Sequence, residues 1–418
     1  MTFKGHGNRD IVERIMPQAE VRENVRGLKK ISISGRGARE CIDIAYGFFT
    51  PLEGFMTRES VNSVCEKMSL PNGVLWPIPI ILDVKDEEVR NNRIKEGDTV
   101  LLSYTEKPLA ILEIEDIFSY DKEKIAKAVL GTTDKKHPGV IMLEKMENTF
   151  IGGEVTLVNP PKFQPPFDRF WYTPRQLREK TVEKGWIRIV AHQTRNVPHT
   201  GHEWLMKGAW FSANGELPVE KLQTGILVNC IIGPKRPGDY IDEAIVVCHD
   251  ELRKAGYFRE DVHMVSIVLW DMRYAGPKEA IFHAILRTNL GCTHHMFGRD
   301  HAGVGSFYNP YDAHRIFDKI PEGSLNIKPI RILEWGYCPV CGEVTYSGLC
   351  GHDDKRQNFS GTLIRSILQD KVKPTKLVLR PEVYDKLMEC AEKFGFGSPF
   401  CTKDYLDERQ PVFTLEEL

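Results

Sequence analysis

The sequence predicts an α/β protein built from three successive parts, and its length, a change of pattern and a cysteine cluster support this. A chain of 418 residues is too long for one compact core and suggests about three domains. Four prolines lie within residues 159–166, where they disfavour helix and central strand and suit a connection between domains. Three cysteines crowd the segment that follows Trp335. We therefore expect domains at residues 1–165, 166–334 and 335–418.

The first part is predicted to be mostly β. Short runs of β-branched and apolar residues alternate there with turns, which is the pattern of strands. Strands are expected at residues 31–33, 78–84, 99–102, 109–114 and 155–157.

In the middle part, predicted strands alternate with predicted helices, which is typical of a parallel sheet covered by helices. Strands are expected at residues 186–191, 226–232 and 264–269. Helices are expected after His199 and at residues 278–290. Two further helices, at residues 361–368 and 381–394, would complete a small third part.

Composition excludes several classes of protein. The 56 lysines and arginines nearly balance the 58 aspartates and glutamates, for a formal net charge of −2, so no long-range field attracts nucleic acid or an anionic membrane. The longest apolar stretches fall short of the roughly 20 residues that cross a bilayer, and the N-terminus shows no export signal. We expect a soluble, cytoplasmic protein that binds neither nucleic acid nor membrane.

The first candidate site follows the strand predicted at residues 186–191. A polar cluster lies where this strand ends and a helix begins, the usual ligand position in open α/β sheets. Its members are Gln193, Thr194, Arg195, Asn196, His199 and His202. The two histidines share a face of the first helical turn, beside backbone N–H groups that favour phosphate. An isolated pair of this kind more often caps a helix or meets water, but the adjacent amide and guanidinium groups favour an anion site.

The second candidate site is a glycine-rich segment, residues 291–305. Gly298 and Gly303 would let the backbone approach a ligand closely, and Arg299 offers a fork of donors beside His301. Taken alone, such a segment is more often a turn that carries a surface charge.

The third constellation predicts a structural zinc site. Cys338, Cys341, Cys350 and His352 follow the pattern C-x₂-C-x₈-C-x-H. Three thiolates and one imidazole complete a tetrahedral shell without an open position, and a reducing compartment favours metal over disulfide. The alternative is a cluster of four such residues that holds no metal.

The two polar segments together resemble the signature loops of the ATP sulfurylase family. Further blocks match in the family's order at residues 47–56, 76–80, 131–134, 137–140, 272–277 and 359–365. The cysteine cluster is similar to one found in some bacterial and archaeal members. The P-loop of the adenylyl sulfate kinase fused to some relatives does not occur, so we expect the zinc-containing prokaryotic type without a kinase domain.

The resemblance implies a sulfate adenylyltransferase that uses ATP and sulfate, with magnesium on the nucleotide, and makes adenylyl sulfate and pyrophosphate reversibly. Sulfate would attack the α-phosphate directly. Because sulfate is already an anion and needs no base, a cluster that supplies positioning and charge stabilisation without a catalytic carboxylate suits this reaction.

Carried over residue by residue, the resemblance implies three sets of site residues. Sulfate would bind to Gln193, Arg195 and the backbone of Ala302. Catalysis would involve Thr194, Arg195, Asn196, His199 and His202. ATP would bind to Gln193, Thr194, Arg195, Asn196, Gly298, Arg299, Asp300, His301 and Leu333.

The resemblance further implies a PUA-like N-terminal domain, a Rossmann-like nucleotidyltransferase domain, a small zinc-bearing C-terminal domain, and a homodimer or larger homo-oligomer. Two loop residues depart from the family pattern: Val197 precedes Pro198, and Val304 stands where proline is common. One alternative is another H-x-G-H nucleotidylyltransferase that acts on a different anion. A remote alternative is an RNA-binding protein with PUA-like and zinc modules, although a net charge of −2 disfavours it.

Overall fold

Two large sheets organise the chain in the computed structural model, which describes residues 4–359 and 361–417. The strands are β1 Lys29–Ser32, β2 Gly54–Phe55, β3 Leu82–Val84, β4 Thr99–Tyr104, β5 Lys107–Ser119, β6 Thr149–Leu157, β7 Lys162–Phe163, β8 Arg188–Thr194, β9 Thr224–Ile232, β10 His263–Leu269, β11 His294–Phe297, β12 Lys328–Arg331, β13 Trp335–Cys338, β14 Glu343–Tyr346, β15 Gln357–Asn358 and β16 Phe413–Thr414. Ser360, within the matched block 359–365, lies outside the described residues.

Helices cover both sheets and form much of the C-terminal part. The α-helices are α1 Gln18–Val25, α2 Gly35–Ala45, α3 Arg58–Lys67, α4 Asp86–Asn91, α5 Lys122–Leu130, α6 Pro138–Glu144, α7 Pro174–Glu183, α8 Thr200–Asn214, α9 Asp242–Lys254, α10 Pro277–Asn289, α11 Asp312–Arg315, α12 Gly361–Gln369, α13 Pro381–Phe394 and α14 Lys403–Glu408. Short 3₁₀ turns lie at His6–Asn8, Phe167–Arg169, Val219–Lys221, Ile316–Lys319 and Asp353–Lys355.

The N-terminal sheet has six strands in the order β1-β4-β5-β6-β2, with β3 also paired to β6. Only the pair β1–β4 is parallel. The prediction of one strand at residues 78–84 is wrong for residues 78–81, because β3 begins at Leu82. Pro79 lacks a backbone donor for a sheet partner, so Ile78 and Ile80 are buried in an irregular segment instead.

The second sheet is entirely parallel and follows the order β10-β9-β8-β11-β12. Counted along the chain within this sheet, the order is 3-2-1-4-5, the arrangement of a Rossmann-like fold. Every residue of β9 is buried, as expected for a strand with helices on both faces. The order reverses between β8 and β11, and a crevice opens where their carboxyl ends diverge. This crevice is where open α/β sheets bind ligands.

The C-terminal part packs against both earlier parts. Strands β14, β13 and β15 form a small antiparallel sheet. The Tyr405 hydroxyl on α14 is 2.8 Å from a carboxylate oxygen of Glu243 on α9. Near the end of the chain, β16 pairs with β7 in the proline-rich connection. The α/β class with a β-rich N-terminal domain is confirmed, and the domain boundaries stay predictions. None of the described helices is long and apolar enough to span a bilayer.

Candidate active site

A cavity of about 570 Å³ lies at the carboxyl ends of β8 and β11. It brings together all the residues predicted for sulfate, ATP or catalysis. These are Gln193, Thr194, Arg195, Asn196, His199, His202, Gly298, Arg299, Asp300, His301, Ala302 and Leu333. Residues more than 100 positions apart in the chain thus share one surface, because the sheet order places β11 beside β8.

Strand β8 carries the polar cluster into the cavity. It begins two residues later and ends three residues later than the strand predicted at residues 186–191, so Gln193 and Thr194 are its last two residues. The Thr194 hydroxyl donates to the carbonyl of Asn196 at 3.2 Å and accepts from the Asn196 amide at 3.1 Å. Because both bonds span the turn that follows the strand, the buried Thr194 hydroxyl fixes the conformation of that turn.

Arg195 is held by two partners. One guanidinium nitrogen donates to the Tyr274 hydroxyl at 2.6 Å, and another lies 3.1 Å from a carboxylate oxygen of Asp239. Burial alone would lower the pKa of Arg195, but Tyr274 and Asp239 raise it above its ordinary value. The Arg195 guanidinium therefore stays positively charged, and its two partners fix its orientation in the way that anion binding requires.

Asn196 is held by residues from two other elements. A guanidinium nitrogen of Arg365, on α12, donates to the Asn196 side-chain oxygen at 2.9 Å. The His249 ring, on α9, donates to the Asn196 carbonyl at 3.1 Å. The turn between β8 and α8 is thus fixed from both sides.

His199 and His202 close the first turn of α8. The Nδ1 atom of His199 accepts from the Gly201 amide at 3.0 Å, and Nδ1 of His202 accepts from the His199 amide at 3.4 Å. Their ring centroids lie 3.9 Å apart. Desolvation lowers the pKa of His199 well below its ordinary value and that of His202 to about 4, so both rings are neutral at pH 7 without ligand.

The loop after β11 forms another wall of the cavity. Arg299 lies 3.0 Å from Asp300 and 3.0 Å from Glu334, which restrains its side chain. Asp300 and Ala302 both adopt left-handed backbone conformations, with φ of 53° and 55°. His301 lies between them, and its Nε2 atom is 3.1 Å from Nδ1 of His283.

Two backbone positions predicted to bind ligand differ in their freedom to do so. The Ala302 amide has no acceptor among the described residues, whereas its carbonyl accepts from the Gly276 amide at 3.0 Å. The Leu333 amide donates to the Tyr346 hydroxyl at 2.9 Å. Of these two amides, only that of Ala302 is available to an anion.

Sequence reasoning missed several residues of the cavity wall. Tyr274, Asp239, Glu334 and Arg365 line it, as does Phe359, whose ring centroid is 5.7 Å from that of His199. Tyr274 and Arg365 lie in the matched blocks 272–277 and 359–365, so those blocks were the signal for them. Asp239 and Glu334 carry no signal in the sequence.

The four predicted metal ligands also come together. Their ligand atoms all lie within 4.8 Å of one another. The Cys341 sulfur is 3.5 Å from the Cys350 sulfur, which is 3.8 Å from that of Cys338, and Nδ1 of His352 is 3.5 Å from the Cys341 sulfur. Tetrahedral zinc with bonds of about 2.3 Å places its sulfur ligands roughly 3.8 Å apart. The cluster therefore fits a tetrahedral metal ion.

This cluster is mechanically connected to the cavity. Trp335, the first residue of β13, lines the cavity, while Cys338 ends the same strand. The Trp335 ring stacks on Trp204 of α8 with centroids 5.4 Å apart. Strands β13 and β14 pair as an antiparallel hairpin. A metal ion that fixes this β13–β14 hairpin would also fix part of the cavity wall.

Comparisons with known proteins agree with this geometry. The family model described as ATP-sulfurylase matches residues 168–390, and the PUA-like domain model matches residues 3–160. The sulfate adenylyltransferase of Archaeoglobus fulgidus is 40% identical over 402 residues, which cover 90% of this chain and 87% of that protein. That of Pyrococcus abyssi is 39% identical over 403 residues, which cover 96% of this chain and 100% of that protein.

Among solved structures, the hexameric APS kinase from Thiobacillus denitrificans has a TM-score of 0.70 and 20% sequence identity, and the match covers 93% of this chain and 68% of that one. This similarity supports the fold. The ATP-sulfurylase family model and the two relatives show the family, and the chain belongs to the ATP sulfurylase family of nucleotidyltransferase enzymes.

Proposed function

We propose that this enzyme is a sulfate adenylyltransferase, which joins sulfate to the α-phosphate of ATP and releases pyrophosphate. One observation carries the proposal: the guanidinium group of Arg195, which its partners orient, and the backbone amide of Ala302, which has no acceptor in the described part of the chain, line the same cavity. This cavity lies at the point where the sheet order reverses. A tetrahedral oxyanion is the kind of ligand that such donors bind.

Sulfate is proposed to bind to Gln193, Arg195 and the Ala302 amide. A sulfate oxygen forms a bond to the α-phosphorus of ATP while the bond from that phosphorus to the bridging oxygen breaks, and the electron pair leaves with pyrophosphate. No proton has to be removed from sulfate. The protein's contribution is to hold two anions against each other and to absorb charge as the bond breaks.

ATP is proposed to lie along the loop from Gly298 to His301, with the carbonyl of Leu333 near the base. Thr194 and Asn196 act by fixing the turn that carries Arg195, since their side chains are already bonded within the protein. Magnesium enters as the counter-ion of ATP and lowers the charge that the donors must balance.

His199 and His202 are proposed to stabilise the phosphates during transfer. Both rings are neutral in the empty cavity, because desolvation lowers their pKa values. A bound triphosphate brings negative charge next to the rings and opposes that shift. In each neutral ring Nδ1 accepts from a backbone amide, so the proton lies on Nε2, from which it would be donated to the departing pyrophosphate.

The Cys338, Cys341, Cys350 and His352 cluster is proposed to hold structural zinc. Three sulfurs and one ring nitrogen saturate a tetrahedral ion, so no position remains for substrate. A cytoplasmic location and a homodimer or larger homo-oligomer remain proposals that rest on the family resemblance.

The test measures pyrophosphate release from ATP and magnesium with and without sulfate, and ATP formation from adenylyl sulfate and pyrophosphate. We expect release that depends on sulfate and activity in reverse. Arg195→Ala should abolish both, whereas Arg259→Ala, which removes an exposed arginine outside the cavity, should not. Release without sulfate would favour a nucleotidylyltransferase with a different acceptor, and a near-normal rate in Arg195→Ala would refute the assignment of that residue.

A further inference from the structure

We propose that His137, in the N-terminal domain, is a positioning residue for the sulfate site. It holds the backbone of Tyr274, and Tyr274 in turn orients Arg195. The inference rests on the proposed function, because it assigns Arg195 to sulfate. It gives the β-rich domain a part in substrate binding, although none of that domain's described residues lines the active-site cavity.

The hydrogen bonds of His137 define which ring nitrogen acts. His137 is buried at the N-terminus of α6, and its Nδ1 atom accepts from the Gly139 amide at 3.0 Å. The proton therefore resides on Nε2, which donates to the Tyr274 carbonyl at 3.1 Å. The Tyr308 oxygen, 3.3 Å away, is a second and longer acceptor, because its own proton is directed to the Leu130 carbonyl.

Tyr274 needs this support because its backbone is in an unfavourable conformation. Its φ of 57° lies in the left-handed region, which a bulky side chain seldom adopts. Such a residue persists only where its surroundings fix it. The next two amides are also held, since Ala275 donates to Glu279 at 2.9 Å and Gly276 donates to the Ala302 carbonyl at 3.0 Å. His137 is the partner that holds the carbonyl of Tyr274 itself.

The side chain of Tyr274 passes this restraint to the anion site. Its hydroxyl accepts from Arg195 at 2.6 Å, and the centroid of its ring lies 5.5 Å from the Arg195 guanidinium carbon and 5.1 Å from that of Arg236. A rotation of the Tyr274 backbone would move the hydroxyl away from Arg195. Asp239 would then be the remaining partner that directs the guanidinium.

The N-terminal domain contacts the second domain closely along residues 271–276, the loop that carries Tyr274. A residue of the first domain can therefore act on a site in the second. Arg39, on α2, lies 2.5 Å from Asp271, and Glu40 pairs with Arg273. Gly139 lies so near the loop that an added Cβ would be 2.4 Å from the Arg273 carbonyl oxygen. These contacts hold the domains together, whereas His137 reaches the residue that contacts Arg195.

Two substitutions of His137 separate positioning from a merely structural role. Asn retains an acceptor for the Gly139 amide but is too short to reach the Tyr274 carbonyl. Gln retains a donor at the distance of Nε2 but loses the acceptor that Nδ1 gives to the Gly139 amide. We expect His137→Asn to raise the KM for sulfate on the order of tenfold to a hundredfold, with the KM for ATP nearly unchanged. His137→Gln should restore much of the lost sulfate affinity while melting at a lower temperature than wild type.

Tyr274→Phe provides the matched change at the other end of the contact, because it removes only the hydroxyl. It should raise the KM for sulfate as His137→Asn does. The KM for sulfate of the double variant should be no higher than that of the more impaired single variant, because both changes act through one contact. The inference is overturned if His137→Asn keeps a normal KM for sulfate, if both KM values rise equally, or if the two changes are additive. A wild-type enzyme without sulfate-dependent release would instead refute the proposed function.

Discussion

At the scale of single residues, the Arg365 guanidinium is the cation in the cavity that has no carboxylate partner among the described residues. Arg195 and Arg299 each contact acidic side chains, whereas Arg365 donates to Asn196, and its Nε atom has no partner in the described part of the chain. Its full charge is therefore available to a bound anion.

We expect Arg365→Ala to lower kcat/KM for ATP on the order of tenfold to a hundredfold, because it removes this charge and releases Asn196. Arg365→Lys keeps the charge without the planar fork, so its loss should be intermediate. Steady-state kinetics of both variants test this, with Lys371→Ala, an exposed residue just beyond α12, as the control. Unchanged kinetics in Arg365→Ala would contradict the role.

The residues predictable from sequence were those whose chemistry is concentrated locally. Gln193 to His202 show their function because donors and histidines follow a strand within ten positions. Asp239 and Glu334 were not predictable, since each is an isolated carboxylate in the sequence. Only the fold brings them to Arg195 and Arg299.

At the scale of elements, the β13–β14 hairpin connects the metal cluster to helix α8. Trp335 packs on Trp204 and also lies against Gly208, whose added Cβ would be 3.1 Å from the Trp335 ring. This close packing leaves little room for the hairpin to move without disturbing α8, which begins at the two cavity histidines.

We therefore predict that removing the metal ligand in Cys341→Ser lowers both the melting temperature and the affinity for ATP. Loss of the bound ion releases the hairpin, and with it Trp335 in the cavity wall. Zinc content, thermal melting and the KM for ATP measure the three effects, and Cys65→Ser, outside the cluster, is the matched control. Wild-type protein that carries no zinc, or a variant with an unchanged melting curve, would argue against a folding role.

Element prediction succeeded where hydrophobic pattern and burial coincide. Strand β9 and helix α13 appear in the structure close to their predicted bounds. Strands β11 and β12 were not predicted, because each has four residues and is rich in histidine, lysine, arginine or proline. They form because neighbouring strands pair with them, which is a tertiary effect.

At the scale of the whole molecule, burial of histidines makes stability depend on pH. Burial lowers the pKa of His263 to about 3 and that of His301 to about 3, against 6.5 in an unfolded chain. The unfolded state therefore binds more protons below pH 6.5, and the free energy of unfolding falls as the pH falls.

His263 isolates this effect, because it lies opposite the active-site edge of the sheet and stacks on Phe258 at 4.9 Å. Between pH 7.5 and 5.5 it should contribute a loss of about 1.4 kcal/mol. His263→Phe should reduce the pH-dependent loss by that amount, as measured by urea unfolding at both pH values. An identical pH dependence in the two proteins would contradict the account.

Exchange of radiolabelled pyrophosphate into ATP shows whether sulfate attacks ATP directly in the cavity at the ends of β8 and β11. If sulfate is the attacking group, the enzyme should exchange label only when sulfate is present, and Arg195→Ala should exchange none. Rapid exchange without sulfate would mean that the adenylyl group passes first to the protein or to another acceptor, and would exclude direct attack by sulfate.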